Sequence, residues 1–210
     1  MVQKYTLGVV LFAFIISCSL PDEGAGNSSS ISYGLLDYEG KVYKTVAIGE
    51  QVWFAENLNY KVEGSKCYKN LLSYCDIYGR LYDWETALTV CPDGWHLPSD
   101  EEWAILTDFV GSDASIKLRA TKGWNSCGGF CLSYDGTDEY GFSALPGGHY
   151  SPNHDIFLGV GDNGYWWSAT EATENTVYFR TMDYGDVSGT NVERRHWYKT
   201  DLYSVRCIQD

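Results

Sequence analysis

Cys91-Pro-Asp-Gly-Trp-His-Leu-Pro-Ser-Asp-Glu-Glu-Trp103 reads as a helix end, a short exposed connector and a second helix start. Before it, Leu81, Trp84 and Leu88 recur at helical spacing, and Pro92 and Gly94 stop that helix. After it, Ser99 and Glu102 make a Ser-x-x-Glu capping box, each able to satisfy backbone N–H groups that a first turn leaves unpaired. Asp100 and Glu101 place negative charge at the positive end of the helix dipole. Trp103, Leu106 and Phe109 then supply one apolar face. Two short helices meeting at a fixed corner, with a cysteine at the joint, suit a scaffold rather than a catalytic loop.

Most of the chain outside this corner has strand and turn chemistry. Val42–Ile48 and Val52–Leu58 flank Gly49-Glu50, a two-residue hairpin loop with glycine at its first turn position. Ser112 to Arg119 is expected to form one short helix capped by Ser112. Beyond it glycine and aromatic residues alternate, as in Gly123-Trp124, Gly141-Phe142 and Gly164-Tyr-Trp-Trp167, which suits short strands and loops. Thr176–Tyr184 and Leu202–Ile208 are expected as late strands. The fold class expected is α+β: two short helices, small antiparallel sheets and long loops.

The N-terminus carries processing information. Residues 1–17 hold a basic Lys4 and an apolar run from Leu7 to Ile16, too short to span a bilayer. Ile15-Ile16-Ser17-Cys18 resembles a bacterial lipobox, so Cys18 is expected to be lipidated after cleavage of a lipoprotein signal peptide. Ser19 in place of Asp favours an outer-membrane address, with the membrane as a partner through the anchor. Residues 18–36, Gly/Ser-rich in their middle, are expected to be a flexible tether, and residues 37–210 the single folded domain.

Charge narrows the partners. Without Lys4, the mature chain has 14 basic residues against 28 acidic ones, a net charge of about −14. Such a chain lacks the basic patch that a phosphate backbone requires, so nucleic-acid binding is not expected. Besides Cys18 there are six cysteines: Cys67, Cys75, Cys91, Cys127, Cys131 and Cys207. An even count in an exported domain points to disulfides, although six cysteines allow about 15 connectivities. Closeness in sequence suggests Cys67–Cys75 and Cys127–Cys131, which leaves Cys91 with Cys207, joining the helical corner to the last strand.

Several motifs, in order, carry a resemblance. They are Asp37-Tyr-Glu-Gly-Lys-Val-Tyr-Lys-Thr-Val-Ala-Ile-Gly-Glu-Gln-Val-Trp-Phe-Ala-Glu-Asn-Leu58, Tyr78-Gly-Arg-Leu-Tyr-Asp-Trp84 and Cys91-Pro-Asp-Gly-Trp-His-Leu-Pro98. Gly141-Phe-Ser-Ala-Leu-Pro-Gly-Gly148, Tyr165-Trp-Trp-Ser-Ala-Thr-Glu171 and Ser204-Val-Arg-Cys207 complete the set. From residue 37 onward the chain resembles the Fibrobacter succinogenes major paralogous domain family. That family is similar to the C-type lectin-like superfamily, whose fold ties a helix to the final strand by a disulfide. The resemblance implies a lectin-like fold at the cell surface, and it implies no particular ligand.

Four residue groups bear on candidate chemistry. Calcium-dependent sugar sites in lectin-like domains resemble Glu-Pro-Asn and Trp-Asn-Asp; here Ser151-Pro-Asn153 and Trp166-Trp-Ser168 lack the acid and the Asn-Asp pair. Asp155, Asp162 and Asn163 are the weak calcium candidates, against the six to eight oxygens the ion takes; no cofactor is otherwise expected. The 33 Phe, Tyr and Trp exceed what a core of this size needs. Neighbouring strand residues point to opposite faces, so one of Trp166 and Trp167 is expected to be exposed and able to stack on a sugar ring. His149 and His154 lie near Asp155 at no established zinc spacing. The Leu97-Pro-Ser-Asp-Glu-Glu-Trp103 motif also resembles that of formylglycine-generating enzymes, but each mature cysteine has an expected disulfide partner, so no reactive thiolate is foreseen.

The function expected is non-catalytic binding of an extracellular ligand such as plant-type polysaccharide, with Trp166, Trp167, Tyr150, His154 and Asp155 as the residues to test. The alternative is a structural or protein-interaction component of the cell envelope.

Overall fold

The computed structural model describes residues 31–125, 135–183 and 191–210. The expected signal peptide, the expected lipidation site Cys18 and the expected Cys127–Cys131 pair lie outside the described residues. Strands β1 (Tyr33–Tyr38), β2 (Lys41–Ile48) and β3 (Gln51–Phe54) form an antiparallel meander. The expected hairpin is present, and Gly49 takes a φ of 62° at its first turn position. A side chain there would meet the Phe109 ring at 3.0 Å, so turn geometry and close approach both call for glycine. β3 ends at Phe54, not Leu58: Ala55 N makes the last bond to β2, to Lys44 O at 2.8 Å, and Leu58 N donates instead to Val205 O. Tyr33–Leu36 pair with β2, which moves the end of the expected tether back to residue 32. As an edge strand that buries little, β1 carries no apolar alternation to announce it.

A 3₁₀ turn (Tyr68–Asn70) and α1 (Leu72–Tyr78) are stapled by Cys67–Cys75. The helix expected over Leu81, Trp84 and Leu88 is instead β4 (Leu81–Tyr82) followed by the single-turn α2 (Trp84–Ala87). Asp83 separates them, its side chain accepting from Thr86 N at 2.9 Å as the N-cap. β5 (Trp95–His96) leads into α3 (Asp100–Val110), where the predicted capping box of Ser99 and Glu102 is present. Trp103 and Leu106 are buried as expected, but Val110 completes that stripe and Phe109 is 55 % exposed, lying over Gly49. In α4 (Ala114–Leu118) the N-cap is Asp113 in a left-handed conformation without a side-chain bond, so Ser112 is not the cap.

The remaining strands are β6 (Gly147–Ser151), β7 (Ile156–Val160), β8 (Asn163–Thr173), β9 (Thr176–Asp183), β10 (Glu193–Tyr198), β11 (Tyr203–Ser204) and β12 (Ile208–Gln209). The expected final strand Leu202–Ile208 is therefore two, and they belong to different sheets. One sheet runs β1-β2-β3-β12-β5, the second β10-β9-β8-β11-β4, and β6 pairs with β7. Because β11 lies parallel to β8, the second sheet is mixed rather than purely antiparallel. Val205, Arg206 and Cys207 cross between the two sheets and are fully buried. The architecture is α+β, and no helix among the described residues is long and apolar enough to cross a membrane.

The Cys91–Cys207 disulfide is formed, across a sequence separation of 116 residues. Strand β8 is covered on both faces. Trp166 packs with Trp53, Trp103 and Phe142 in one cluster, and Trp167 with Tyr82, Phe179 and Tyr203 in the other. Each indole N–H has a partner, Trp166 Nε1 donating to Asn57 Oδ1 at 2.8 Å and Trp167 Nε1 to Tyr82 O at 2.7 Å.

The chain end is clasped by His96, whose Nδ1 lies 2.7 Å from Asp210 Oδ1 and whose Nε2 lies 2.9 Å from Glu102 Oε1. Partial burial opposes charge on the ring, but the two carboxylates outweigh it and raise its pKa above 6.5. A raised folded pKa means a contribution that is full below the unfolded value and is lost as pH rises through the folded one. His96→Gln should therefore cost more stability at about pH 5.5 than at about pH 8.5, the difference staying under about 1 kcal/mol for so exposed a pair. Urea unfolding of both proteins at the two pH values measures it; a deficit independent of pH contradicts the clasp.

Candidate functional site

The β6–β7 hairpin turns through Pro152 to Asp155, with His154 N donating to Ser151 O and Asp155 N to Pro152 O. Tyr150 and Leu202 exchange backbone bonds in both directions, Tyr150 N to Leu202 O at 3.1 Å and Leu202 N to Tyr150 O at 2.9 Å. That bridge holds the hairpin tip beside the segment Lys199–Asp201, which follows edge strand β10. β10 pairs with β9 on one side only, with Trp197 opposite Val177 and Tyr198 opposite Thr176. Trp197 is 48 % and Tyr198 51 % exposed.

Between these segments lies a cleft of about 820 Å³, walled by Pro152 and Asn153 on one side and by Tyr198, Lys199 and Thr200 on the other. Asp83 and Glu85, at the start of α2, line its end. A recess of about 340 Å³ adjoins it, sharing Asn153 and Tyr198 and lined further by His149, Ser151, Trp197 and Asp201. Both volumes fall in the range of about 300–1,000 Å³ usual for small-ligand sites.

The electrostatics favour carboxylate character. Lys199 is tied to Glu171 at 2.6 Å and sits over the Trp84 ring, so its charge is locally matched. Asp201 is 2 % exposed, and burial raises its pKa, against the Trp197 and Ser151 hydrogen bonds and nearby His154 that lower it. Burial lowers the pKa of His149, whose Nδ1 is buried without a partner while its ring meets Tyr165 and Tyr203 edge-on.

The predicted site residues divide. Trp166 and Trp167 are both fully buried, which removes them as ligand platforms: alternation does send them to opposite faces, but both faces are covered. Tyr150 is also buried, its hydroxyl donating to Asp155 Oδ1 at 2.7 Å, and it anchors the hairpin rather than lining the cleft. Asp155 is exposed at the hairpin tip, and His154 alone of the five lines the recess. Asp155 and Asp162 face different partners, Tyr150 and Asn125 respectively, and among the described residues no three His, Cys, Asp or Glu side chains gather to hold a metal ion. Trp197, Tyr198 and Asp201 were missed. The one available signal was an adjacent aromatic pair following the charged run Glu193-Arg-Arg-His196.

A family model described as the Fibrobacter succinogenes major domain matches residues 46–209. The chain belongs to this family. The family match takes in both Cys91 and Cys207, the hairpin tip and the Trp197–Leu202 segment, so the disulfide and the cleft lie within the shared domain. No curated protein and no solved structure matches the chain.

Proposed function

We propose that this protein is a non-catalytic, lipid-anchored component of the outer-membrane surface, whose domain has a C-type lectin-like fold and binds plant-type polysaccharide in the cleft beside β10. One observation carries the reading: among the described residues Trp197 is the only exposed tryptophan, and it stands next to exposed Tyr198 at the mouth of a cleft. Two adjacent exposed rings at a cleft lined also by amides and carboxylates have the composition of a sugar platform, with apolar faces for ring stacking and polar groups for hydroxyls. The Trp197 ring is pre-positioned by its Nε1–H donating to Asp201 Oδ2 at 3.1 Å. The disulfide from the helical corner to β12 supports the lectin-like fold, and the lipobox at Ile15–Cys18 supports the anchor. The four described cysteines are all in disulfides, which leaves none of them as a thiolate nucleophile.

Pull-down of the purified protein on insoluble plant polysaccharide tests this. Trp197→Ala and Tyr198→Ala should each weaken retention at least about tenfold, roughly the worth of one well-packed aromatic contact. Retention equal to the unmodified protein removes the cleft from consideration. A second reading, an envelope assembly component, draws on Leu35 and Val42, exposed on one face of the β1–β2 edge; co-purification of an envelope protein without glycan binding would favour it.

A further inference from the structure

The recess beneath Trp197 has an unusual floor. Asp201 is almost wholly buried, yet among the described residues Oδ2 accepts only from Trp197 Nε1 and Oδ1 only from Ser151 Oγ, at 3.5 Å the outer limit of a hydrogen bond. A carboxylate accepts about four such bonds, and among the described residues no cation forms an ion pair with Asp201. Burying an ionised carboxyl with so few donors is costly, so the site is short of donors. The recess is lined otherwise by the Ser151 hydroxyl, the Asn153 amide, the His149 and His154 imidazoles and the aromatic faces of Trp197 and Tyr198, and no Lys or Arg lines it. The cleft leading to it carries Asp83 and Glu85, with Lys199 already matched by Glu171.

We infer that this recess is a subsite for one uncharged hexose residue, whose hydroxyl groups donate to the Asp201 carboxylate while its ring lies against Trp197. The inference rests on the cleft reading and adds the ligand class: neutral glycans are taken, and polyuronates are turned away by the carboxylates along the cleft. Hydroxyls suit the floor because each donates to Asp201 and can also accept, whereas a uronate would bring a second carboxylate to a recess that already holds Asp201, beside a cleft that carries Asp83 and Glu85.

Titration calorimetry with cellohexaose, mannohexaose and hexagalacturonate on the full protein tests it. The unmodified protein should bind at least one neutral hexasaccharide and show no heat with hexagalacturonate. Asp201→Asn keeps an oxygen for the Trp197 N–H but removes the charge, and should weaken neutral binding at least about tenfold with the melting midpoint held within a few degrees. Unchanged affinity in Asp201→Asn, or hexagalacturonate bound as tightly as the neutral sugars, overturns the subsite. The hexagalacturonate comparison needs no variant, so it decides even where Asp201→Asn folds poorly. Loss of binding in Tyr198→Ala beside an unaffected Asp201→Asn overturns the subsite and leaves the cleft standing. No binding of any neutral sugar by the unmodified protein overturns both.

Discussion

Replacing Cys91 and Cys207 together by alanine should lower the unfolding free energy by about 5 kcal/mol, the chain-entropy expectation for a loop this long. The bond spans a sequence separation of 116 residues, whereas Cys67–Cys75 spans 8 and should contribute about half as much on the same grounds. The larger effect also follows from where Cys207 sits. It lies between β11 and β12, fully buried, with its carbonyl accepting from Phe54 N at 2.9 Å. β12 is only two residues long, and it joins β3 to β5 through Ile208, opposite both Trp53 and His96. Without the covalent tie, that central strand is held by few pairings. Denaturant unfolding of the double variant measures the effect; a loss below about 1 kcal/mol would mean that the sheet closes without the disulfide.

Asn57→Ala should cost more than about 3 kcal/mol, because one amide oxygen serves three buried donors. Asn57 Oδ1 accepts from Trp166 Nε1 at 2.8 Å, from Arg206 Nε at 3.2 Å and from Arg206 Nη2 at 2.9 Å. Its Nδ2 donates to Tyr78 O at 2.9 Å. Arg206 is fully buried, and burial pulls its pKa down to about 9, so it is still cationic at neutral pH. Its other bonds go to the carbonyls of Phe54, Phe142 and Ser143, and its guanidinium lies 4.3 Å from the Phe142 ring centre. Removing the amide strands donors that water does not reach. Asn57→Asp should cost less, since a carboxylate keeps the acceptor and meets the cation, losing only the Nδ2 donations. Equal destabilisation by Ala and Asp would show that packing, not this hydrogen-bond hub, matters at the position.

These two predictions rest on features that differ in how readable they were. The Cys91–Cys207 disulfide was legible because pairing the near cysteines leaves only Cys91 and Cys207, and the Ser99–Glu102 cap and the Gly49 turn are encoded within a few residues. Asn57 and Arg206 carried no local signal: their partnership joins residues far apart in the chain. Leu81 was misread because a two-residue strand followed by one helical turn imitates helical spacing when Asp83 between them is overlooked. Trp166 and Trp167 were misread for a different reason. Alternation fixes which face each side chain takes, but only the surrounding elements determine whether that face is covered, and here α3 and β3 cover one while Trp84 and Ala87 of α2 pack in the cluster on the other. Exposure of Trp197 is equally tertiary, since it follows from β10 being an edge strand. His154, at the hairpin tip, lines the recess, yet the wall facing it comes from a segment that the Tyr150–Leu202 bridge brings near.

Hydrogen exchange of the protein with and without a bound neutral oligosaccharide tests the central claim most directly. The cleft predicts slowed exchange confined to the hairpin tip at residues 150–154 and to residues 196–202. Bound sugar with those two segments unchanged, and protection elsewhere on the domain, would contradict it.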